Sequence, residues 1–186
     1  QALRPIVREV DPDRLVTASH AGDISESDLE KYITQVTVDF IAPHRPRNSK
    51  SPTETADQSR DYLAWMNSHG RIVPVHYQEP FRRGFNPKRF QPSVEDFMTD
   101  CTQAKQGNAA GWCFHNGDER DAADGKPRRS FDMRGKRLFD QLDEQEINVL
   151  ILMLEAKNQR KEKNRSPNPY PFLVPGEKPH SPAKSG

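Results

Sequence analysis

The sequence predicts an α/β fold: parallel β/α units that form the C-terminal half, with four strands, of a TIM (β/α)8 barrel, followed by a disordered C-terminal tail. Two observations predict this fold. Short apolar, β-rich runs alternate with amphipathic helical patterns four times along the chain, as in folds built from parallel β/α units. A polar cluster follows each run, and parallel sheets place their functional sites at the carboxyl ends of their strands.

Four runs rich in β-branched and aromatic residues predict the strands. They are Leu15 to Ser19, Val36 to Ala42, Ile72 to Gln78 and Ala110 to Phe114. Three of the runs lead to a histidine, and these histidines are His20, His44 and His115. We therefore expect the three imidazoles to occupy comparable strand ends.

Helical patterns fill the intervals between the predicted strands. The chain begins with the end of a helix over residues 1–10, and a short helix starts at Ser25. A longer helix is capped by Thr53 and ends at Gly70, because glycine readily adopts the conformation that terminates a helix. Ser93 is the expected N-cap of the next helix, because its hydroxyl can accept a bond from a free backbone N–H.

Composition divides the chain into a partial barrel domain, residues 1–156, and a tail, residues 157–186. The last strong helix of the domain spans about Met133 to Ala156. The tail alternates Lys and Arg with Asn and is then dominated by Pro, Ser and Gly without an apolar period. A segment of this composition buries too little apolar surface to fold, so we predict that the tail is disordered.

Charge and hydropathy argue against two classes of partner. The formal net charge of +1 gives no global electrostatic reason to bind nucleic acid. No apolar run approaches the roughly 20 residues that cross a bilayer, so the sequence predicts no membrane partner. Cys101 and Cys113 make no ligand motif and leave the compartment open. Because the chain begins with Gln1, we expect it to be part of a longer product, for which a secreted or periplasmic location stays open.

The most informative segment is Arg71 to Gly84, a short apolar strand that delivers Glu79 to its end. Glu79 has the same phase along the strand as Tyr77, so both side chains should point to the same, inner side. Arg82 and Arg83 follow closely, and a nearby cation favours the ionised carboxylate that a nucleophile requires. The alternative interpretation is a structural carboxylate, buried and neutralised by an arginine.

Four motifs occur in an order typical of a known family. They are Arg8-Glu-Val-Asp-Pro-Asp-Arg-Leu-Val-Thr-Ala-Ser19, Val38-Asp-Phe-Ile-Ala-Pro-His44, Val73-Pro-Val-His-Tyr-Gln-Glu79 and Gly111-Trp-Cys-Phe-His-Asn-Gly117. Over about residues 1–155 the chain resembles the C-terminal half of cellulase-like glycoside hydrolases, the clan A (β/α)8 barrels. The resemblance implies retaining hydrolysis of O-glycosidic bonds in a polysaccharide or glycoside, with a carbohydrate as partner and with neither a cofactor nor a metal.

The resemblance also implies residue roles. Glu79 matches the family's nucleophile, at the end of the seventh barrel strand. The family's acid/base glutamate would lie upstream of Gln1, and retaining hydrolysis needs two carboxyl groups about 5–5.5 Å apart. We therefore expect this chain by itself to be catalytically incomplete.

The candidate substrate-binding residues surround the predicted nucleophile. His44 is placed to bond either Glu79 or a sugar hydroxyl, and a loop-bonding role is an equal alternative. Arg45 and Arg47, with the arginines that follow Glu79, predict a cationic rim that suits an acidic sugar. The full set of candidates is His20, His44, Arg47, Tyr77, Arg82, His115 and Asn116.

Two other hypotheses stay open. In the first, His20, His44 and His115 with Glu79 supply the ligands of a metal-dependent barrel hydrolase. In the second, the chain is a non-catalytic carbohydrate-binding or assembly piece, completed by a complementary half barrel or by a second copy of itself. An isolated half barrel leaves two parallel edges unpaired, which favours such a partner.

Overall fold

The computed structural model describes residues 3–80, 90–114 and 134–163, the last four without their side chains. Five α-helices and four two-residue strands lie within these ranges. In chain order they are α1 (Leu3–Val10), β1 (Ser19–His20), α2 (Glu26–Glu30), β2 (Ala42–Pro43), α3 (Ser51–Ser68), β3 (His76–Tyr77), α4 (Val94–Gln106), β4 (Gly111–Trp112) and α5 (Glu144–Lys163). A π-helical segment, Lys31–Val36, continues α2, and a 3₁₀ turn, Leu138–Gln141, precedes α5.

The predicted fold class is wrong. The described residues are predominantly helical, and their β structure consists of two separate two-stranded parallel sheets, β1–β2 and β3–β4. Four regular strands of half a (β/α)8 barrel are not present in the described part of the chain. Most residues of the β-rich runs at the four predicted positions belong instead to neither a helix nor a strand.

Local chemistry explains why the strands are so short. Pro43 lies within β2 and Pro74 lies two residues before β3, and proline has no N–H to donate to a strand ladder. The first residue of the predicted second strand, Val36, belongs to the π-helical segment instead, which ends at Thr37 in the left-handed conformation with a φ of 55°. An apolar, β-rich composition therefore did not produce a long hydrogen-bonded ladder here.

The short strands nevertheless set a common direction. Ser19 pairs with Ala42 in β1–β2, and Tyr77 pairs with Trp112 in β3–β4, both in parallel register. An isolated parallel bridge joins Ile41 to a valine just before β3. Because all these pairings are parallel, the segments that follow β1, β2 and β3 leave on the same side.

Helix starts and ends agree better with the sequence. Ser93 caps α4 with a capping box, in which its hydroxyl and the Asp96 carboxylate each accept a backbone N–H of the other residue. Ser25 caps α2 as predicted, and Gly70, with a φ of 73°, follows the end of α3. The N-cap of α3 is Lys50 rather than the predicted Thr53.

The core lies where α3 and α4 cover the strands. One face of α3 buries residues at helical spacing, among them Ser59, Tyr62 and Met66, and α4 contributes Phe97. Tyr77 of β3 is fully buried against this face. Residues of the helices and of the short strands therefore share one core.

Asp39 ties α1 to the rest of residues 1–150. Its carboxylate accepts bonds from Arg4 at 3.0 Å and Arg8 at 2.8 Å, and from the backbone N–H of Val16 at 2.7 Å. The helix ends at Val10, before Asp11 and Pro12, as the sequence predicts. Its docking therefore relies on ion pairs, because Leu3 and Val10 leave most of their surface exposed.

The chain divides into two compact units, residues 1–150 and 151–186. In the first unit, Asp143 and Glu146 form a reciprocal cap at the start of α5. In the second, α5 continues to Lys163 and therefore past the predicted boundary at residue 156; the rest of the predicted tail lies outside the described residues. Across the described residues, no helix is both long enough and apolar enough to span a membrane.

Gly107, at the end of α4, lies close to α3. A Cβ atom at this position would lie 2.5 Å from the Cβ of Ser59 and 2.7 Å from the carbonyl oxygen of Ala56. We expect Gly107→Ala to lower the free energy of unfolding by roughly 1–3 kcal/mol, because the two helices must move apart. Urea denaturation followed by circular dichroism measures the change.

Gly135→Ala is the matched control, because nothing lies within 4 Å of the corresponding Cβ. We expect this variant to unfold at the same urea concentration as the unaltered protein. Equal stabilities of the two variants would contradict the close contact between α3 and α4.

Candidate functional site

The ends of the first three strands bring together three polar side chains. Ser19 belongs to β1, His44 directly follows β2, and Glu79 lies two residues after β3. The backbone supports this arrangement, since the His44 N–H donates to the carbonyl of His20 at 3.0 Å. The parallel direction of the strands thus converts three positions far apart in sequence into one cluster.

The Glu79 carboxylate lies near the centre of this cluster. Its side chain is 17% exposed, and its Oε2 accepts a bond from Arg47 Nη2 at 3.1 Å. The Nδ1 atom of His44 lies 3.6 Å from the same oxygen, a distance that allows attraction between charges but exceeds a hydrogen bond. The positive charge of the guanidinium attracts the carboxylate, and water only partly screens this attraction.

Ser19 is a member of the cluster that the site prediction missed. Its Oγ lies 2.9 Å from His44 Nε2. A serine at a strand end carries no distinctive pattern in one sequence. Its position directly before His20, at the end of a run whose direction matches that of the next strand, is the signal that could have identified it.

Two predicted substrate-binding residues have structural partners instead. His20 places Nδ1 3.0 Å from the Tyr32 hydroxyl, and the two rings meet edge to face. Tyr77 is fully buried, and its hydroxyl lies 2.8 Å from Ser59 Oγ. Burial raises the pKa of Tyr77 above its ordinary value. In this structure the Tyr77 side chain is therefore part of the core, although it shares the strand phase of Glu79.

Three further candidates lie outside the described residues. They are Arg82, His115 and Asn116. The structure therefore locates five of the predicted site residues and groups three of them, which are His44, Arg47 and Glu79.

Arg45 does not belong to a cationic rim, contrary to the prediction. It is 3% exposed, and its guanidinium donates to both oxygens of Asp23 at 2.6 Å, to Thr55 Oγ1 at 2.9 Å and to the Ser51 carbonyl at 3.2 Å. Successive side chains of an extended segment point to opposite sides, so Arg45 enters the interior while His44 faces the cluster. The buried arginine thereby anchors the loop that carries His44 and Arg47.

The same network contains a buried acid, Asp100 of α4. Its Oδ2 accepts the indole N–H of Trp112 at 2.5 Å, and its Oδ1 contacts Thr55 Oγ1. The Thr55 hydroxyl also receives a bond from Arg45 and lies 3.0 Å from the Ser51 carbonyl. A hydroxyl has only one proton. If that proton goes to the Ser51 carbonyl, the bond between Thr55 and Asp100 requires a proton on the carboxyl group.

The pKa of Asp100 is consistent with a protonated carboxyl group. Burial raises the pKa of Asp100 from 3.8 to about 6, against the opposing effect of the bonds from Thr55 and Trp112. Below about pH 6 the protonated acid can therefore donate to the Thr55 hydroxyl while it accepts the indole N–H of Trp112. Above that pH a buried carboxylate replaces it, at a cost in stability.

A metal centre gains no support from residues 3–80, 90–114 and 134–163. Within them, no group of three or more His, Cys, Asp and Glu side chains is arranged to hold a metal ion. His20 and His44, two of the suggested ligands, contact Tyr32 and Ser19 through ring nitrogens. The third suggested histidine, His115, lies outside these ranges.

No family model matches the chain, and no curated protein shows significant sequence similarity to it. The resemblance to clan A glycoside hydrolases therefore stays a prediction from four motifs.

Replacing Asp100 by asparagine tests the buried network. The folded-state pKa of Asp100 lies above its ordinary value, so its contribution to stability is full below about pH 4 and is lost as the pH rises through 6. The amide of Asp100→Asn keeps one donor and one acceptor and does not titrate. We expect the variant to gain stability relative to the unaltered protein between pH 4 and pH 7, by up to roughly 3 kcal/mol.

Urea denaturation at several pH values measures this difference. Asp61→Asn, at an exposed position on α3, is the control and should follow the unaltered protein at every pH. Parallel stability profiles for Asp100→Asn and the unaltered protein would contradict a raised pKa for Asp100.

Proposed function

We propose that the chain carries the nucleophile of a retaining glycosidase-type reaction, and that this nucleophile is Glu79. The observation that carries the proposal is the placement of one largely buried carboxylate at the end of β3, with Arg47 and His44 both directed at its Oε2. The four sequence motifs supply the class of substrate, which is a polysaccharide or glycoside.

The reaction assigns a definite step to Glu79. A carboxylate oxygen attacks the anomeric carbon, the bond from that carbon to the leaving oxygen breaks, and a glycosyl ester of Glu79 forms. Water later attacks the same carbon and releases the carboxylate. The leaving oxygen needs a proton from a second carboxyl group about 5–5.5 Å from the first, and we assign that group to no residue of this chain.

The neighbours of Glu79 suit a nucleophile. Arg47 forms an ion pair with the carboxylate, because its guanidinium contacts Oε2 directly. Partial burial of the Glu79 side chain strengthens this attraction, because less water screens it. A nucleophile must be ionised and held in one orientation before it attacks. Arg47 and His44, both from the loop after β2, attract the charge of Glu79 and limit the rotation of its carboxylate.

The same side chains suit a polar ligand. Arg47 is 30% exposed and His44 is 16% exposed, so both still reach solvent while they contact Glu79. An arginine and a histidine beside a carboxylate provide donors for sugar hydroxyls and favour a sugar that carries an acidic group. His20 is a weaker candidate, since its Nδ1 already bonds Tyr32.

Covalent trapping tests the nucleophile without the second carboxyl group. A 2-deoxy-2-fluoro glycoside with a dinitrophenolate leaving group needs no protonation to depart, and the fluorine slows release of the glycosyl ester. We expect at least one member of a panel of gluco, galacto, manno, xylo and uronic acid derivatives to label Glu79. Mass spectrometry of proteolytic peptides locates the label.

Glu79→Gln is the matched control, because the amide keeps the size of the side chain and lacks the nucleophilic charge. It should take up no label while its circular dichroism spectrum and melting temperature stay close to those of the unaltered chain. Absence of label on the folded, unaltered chain with every member of the panel would remove Glu79 from this role, as would labelling that persists in the variant.

A further inference from the structure

One imidazole links Ser19 to Glu79 across the ends of β1, β2 and β3. His44 Nε2 lies 2.9 Å from Ser19 Oγ, and His44 Nδ1 lies 3.6 Å from Glu79 Oε2. Each ring nitrogen therefore faces a partner with a known capacity to donate or accept. Neutral histidine carries a proton on only one of these nitrogens, so these two partners influence which tautomer is present.

We propose that Ser19 is a positioning residue that holds neutral His44 in the tautomer with its proton on Nδ1, directed at Glu79. The proposal deepens the proposed function, and its consequence for reactivity rests on Glu79 being the reacting carboxylate. The placement of the proton is independent of any reaction and can be measured by itself.

The chemistry of the partners selects this tautomer. An ionised carboxylate only accepts hydrogen bonds, so a lone pair on Nδ1 would be repelled by Glu79 Oε2, whereas an N–H is attracted to it. A proton on Nδ1 leaves a lone pair on Nε2. The Ser19 hydroxyl can donate to that lone pair, and the 2.9 Å distance fits such a bond.

Partial burial of His44 and Glu79 strengthens the preference for this tautomer. The side chains of His44 and Glu79 are 16% and 17% exposed, so water only partly screens the carboxylate from the ring. Ser19 is exposed and closes the outer side of the imidazole. The backbone bond from His44 to the His20 carbonyl, 3.0 Å long, holds the two chain segments in register, so the hydroxyl and the ring stay opposite each other.

The consequence is that a second N–H faces the oxygen that Arg47 already contacts, at a distance that allows attraction but exceeds a hydrogen bond. Arg47 Nη2 lies 3.1 Å from Glu79 Oε2, and the Nδ1–H of His44 approaches the same atom from the same loop. Two groups on one carboxylate oxygen resist rotation of the carboxylate and hold its orientation toward a substrate. Ser19 acts on Glu79 through His44 and is thus a positioning residue.

Nuclear magnetic resonance of the imidazole nitrogens tests the tautomer directly in the full chain. Long-range ¹H–¹⁵N spectra above pH 8 distinguish the two neutral forms, and His44→Gln assigns the signals. We expect the Nδ1–H form to predominate for His44 in the unaltered protein. Ser19→Ala should raise the share of the Nε2–H form about three-fold or more, since the loss of one hydrogen bond has an effect of this size.

Two control variants separate this role from a merely structural one. Ser19→Thr keeps the hydroxyl and suits a strand, so it should retain the unaltered tautomer. Ser68→Ala removes a hydroxyl that bonds the Trp65 carbonyl and should not affect His44. A predominant Nε2–H form in the unaltered protein, or an unchanged tautomer in Ser19→Ala, would overturn the proposal.

The rate at which the activated fluoroglycoside labels Glu79 tests the proposed nucleophile independently of the tautomer. Under both proposals, Ser19→Ala labels several-fold more slowly than the unaltered chain and Ser19→Thr does not. A shift of tautomer with no label in any protein supports the positioning role of Ser19 and contradicts the nucleophile. Labelling of Glu79 with an unchanged tautomer contradicts the role of Ser19 alone.

Discussion

The buried guanidinium of Arg45 is the interaction on which the rest of the site depends. It joins the Asp23 carboxylate, which precedes α2, to Thr55 and Ser51 of α3. Thr55 extends the network to Asp100 of α4. A buried cation without partners is costly, so the partners of Arg45 must all be present in the folded state. This requirement fixes the loop after β2, and that loop carries His44 and Arg47.

Anchoring from the interior compensates for the short strands. A two-residue strand contributes few ladder bonds, so the sheets alone cannot hold the strand ends in a precise arrangement. Close packing of α3 on α4 at Gly107 and the network around Arg45 supply the missing rigidity. The geometry of the polar cluster thus depends on side-chain contacts as much as on strand pairing. Substitutions in α3 and α4, away from the cluster, should therefore alter it.

Two polar systems lie on opposite sides of the segment that follows β2. The inner one is built around Arg45 and Asp100, which are almost fully buried, and protonation of its acid supplies a proton for the contact between Asp100 and Thr55. The outer one, around His44 and Glu79, keeps partial contact with solvent. Buried polar groups need hydrogen-bond partners within the protein, whereas groups that bind a ligand must remain accessible to solvent. The alternation of an extended backbone separates the two, because neighbouring side chains point in opposite directions.

The sequence by itself determined several helix boundaries, because the signals are local, but it placed the start of α5 at about Met133 instead of Glu144. Ser93 and Gly70 act on backbone groups within a few residues. The position of Glu79 just after an apolar run is likewise visible in the sequence. Only the tertiary structure decided the strand lengths, the burial of Arg45 and the meeting of Ser19 with His44. These features depend on partners far away in sequence, and the competition between strand ladder, interior network and solvent is resolved only when those partners pack together.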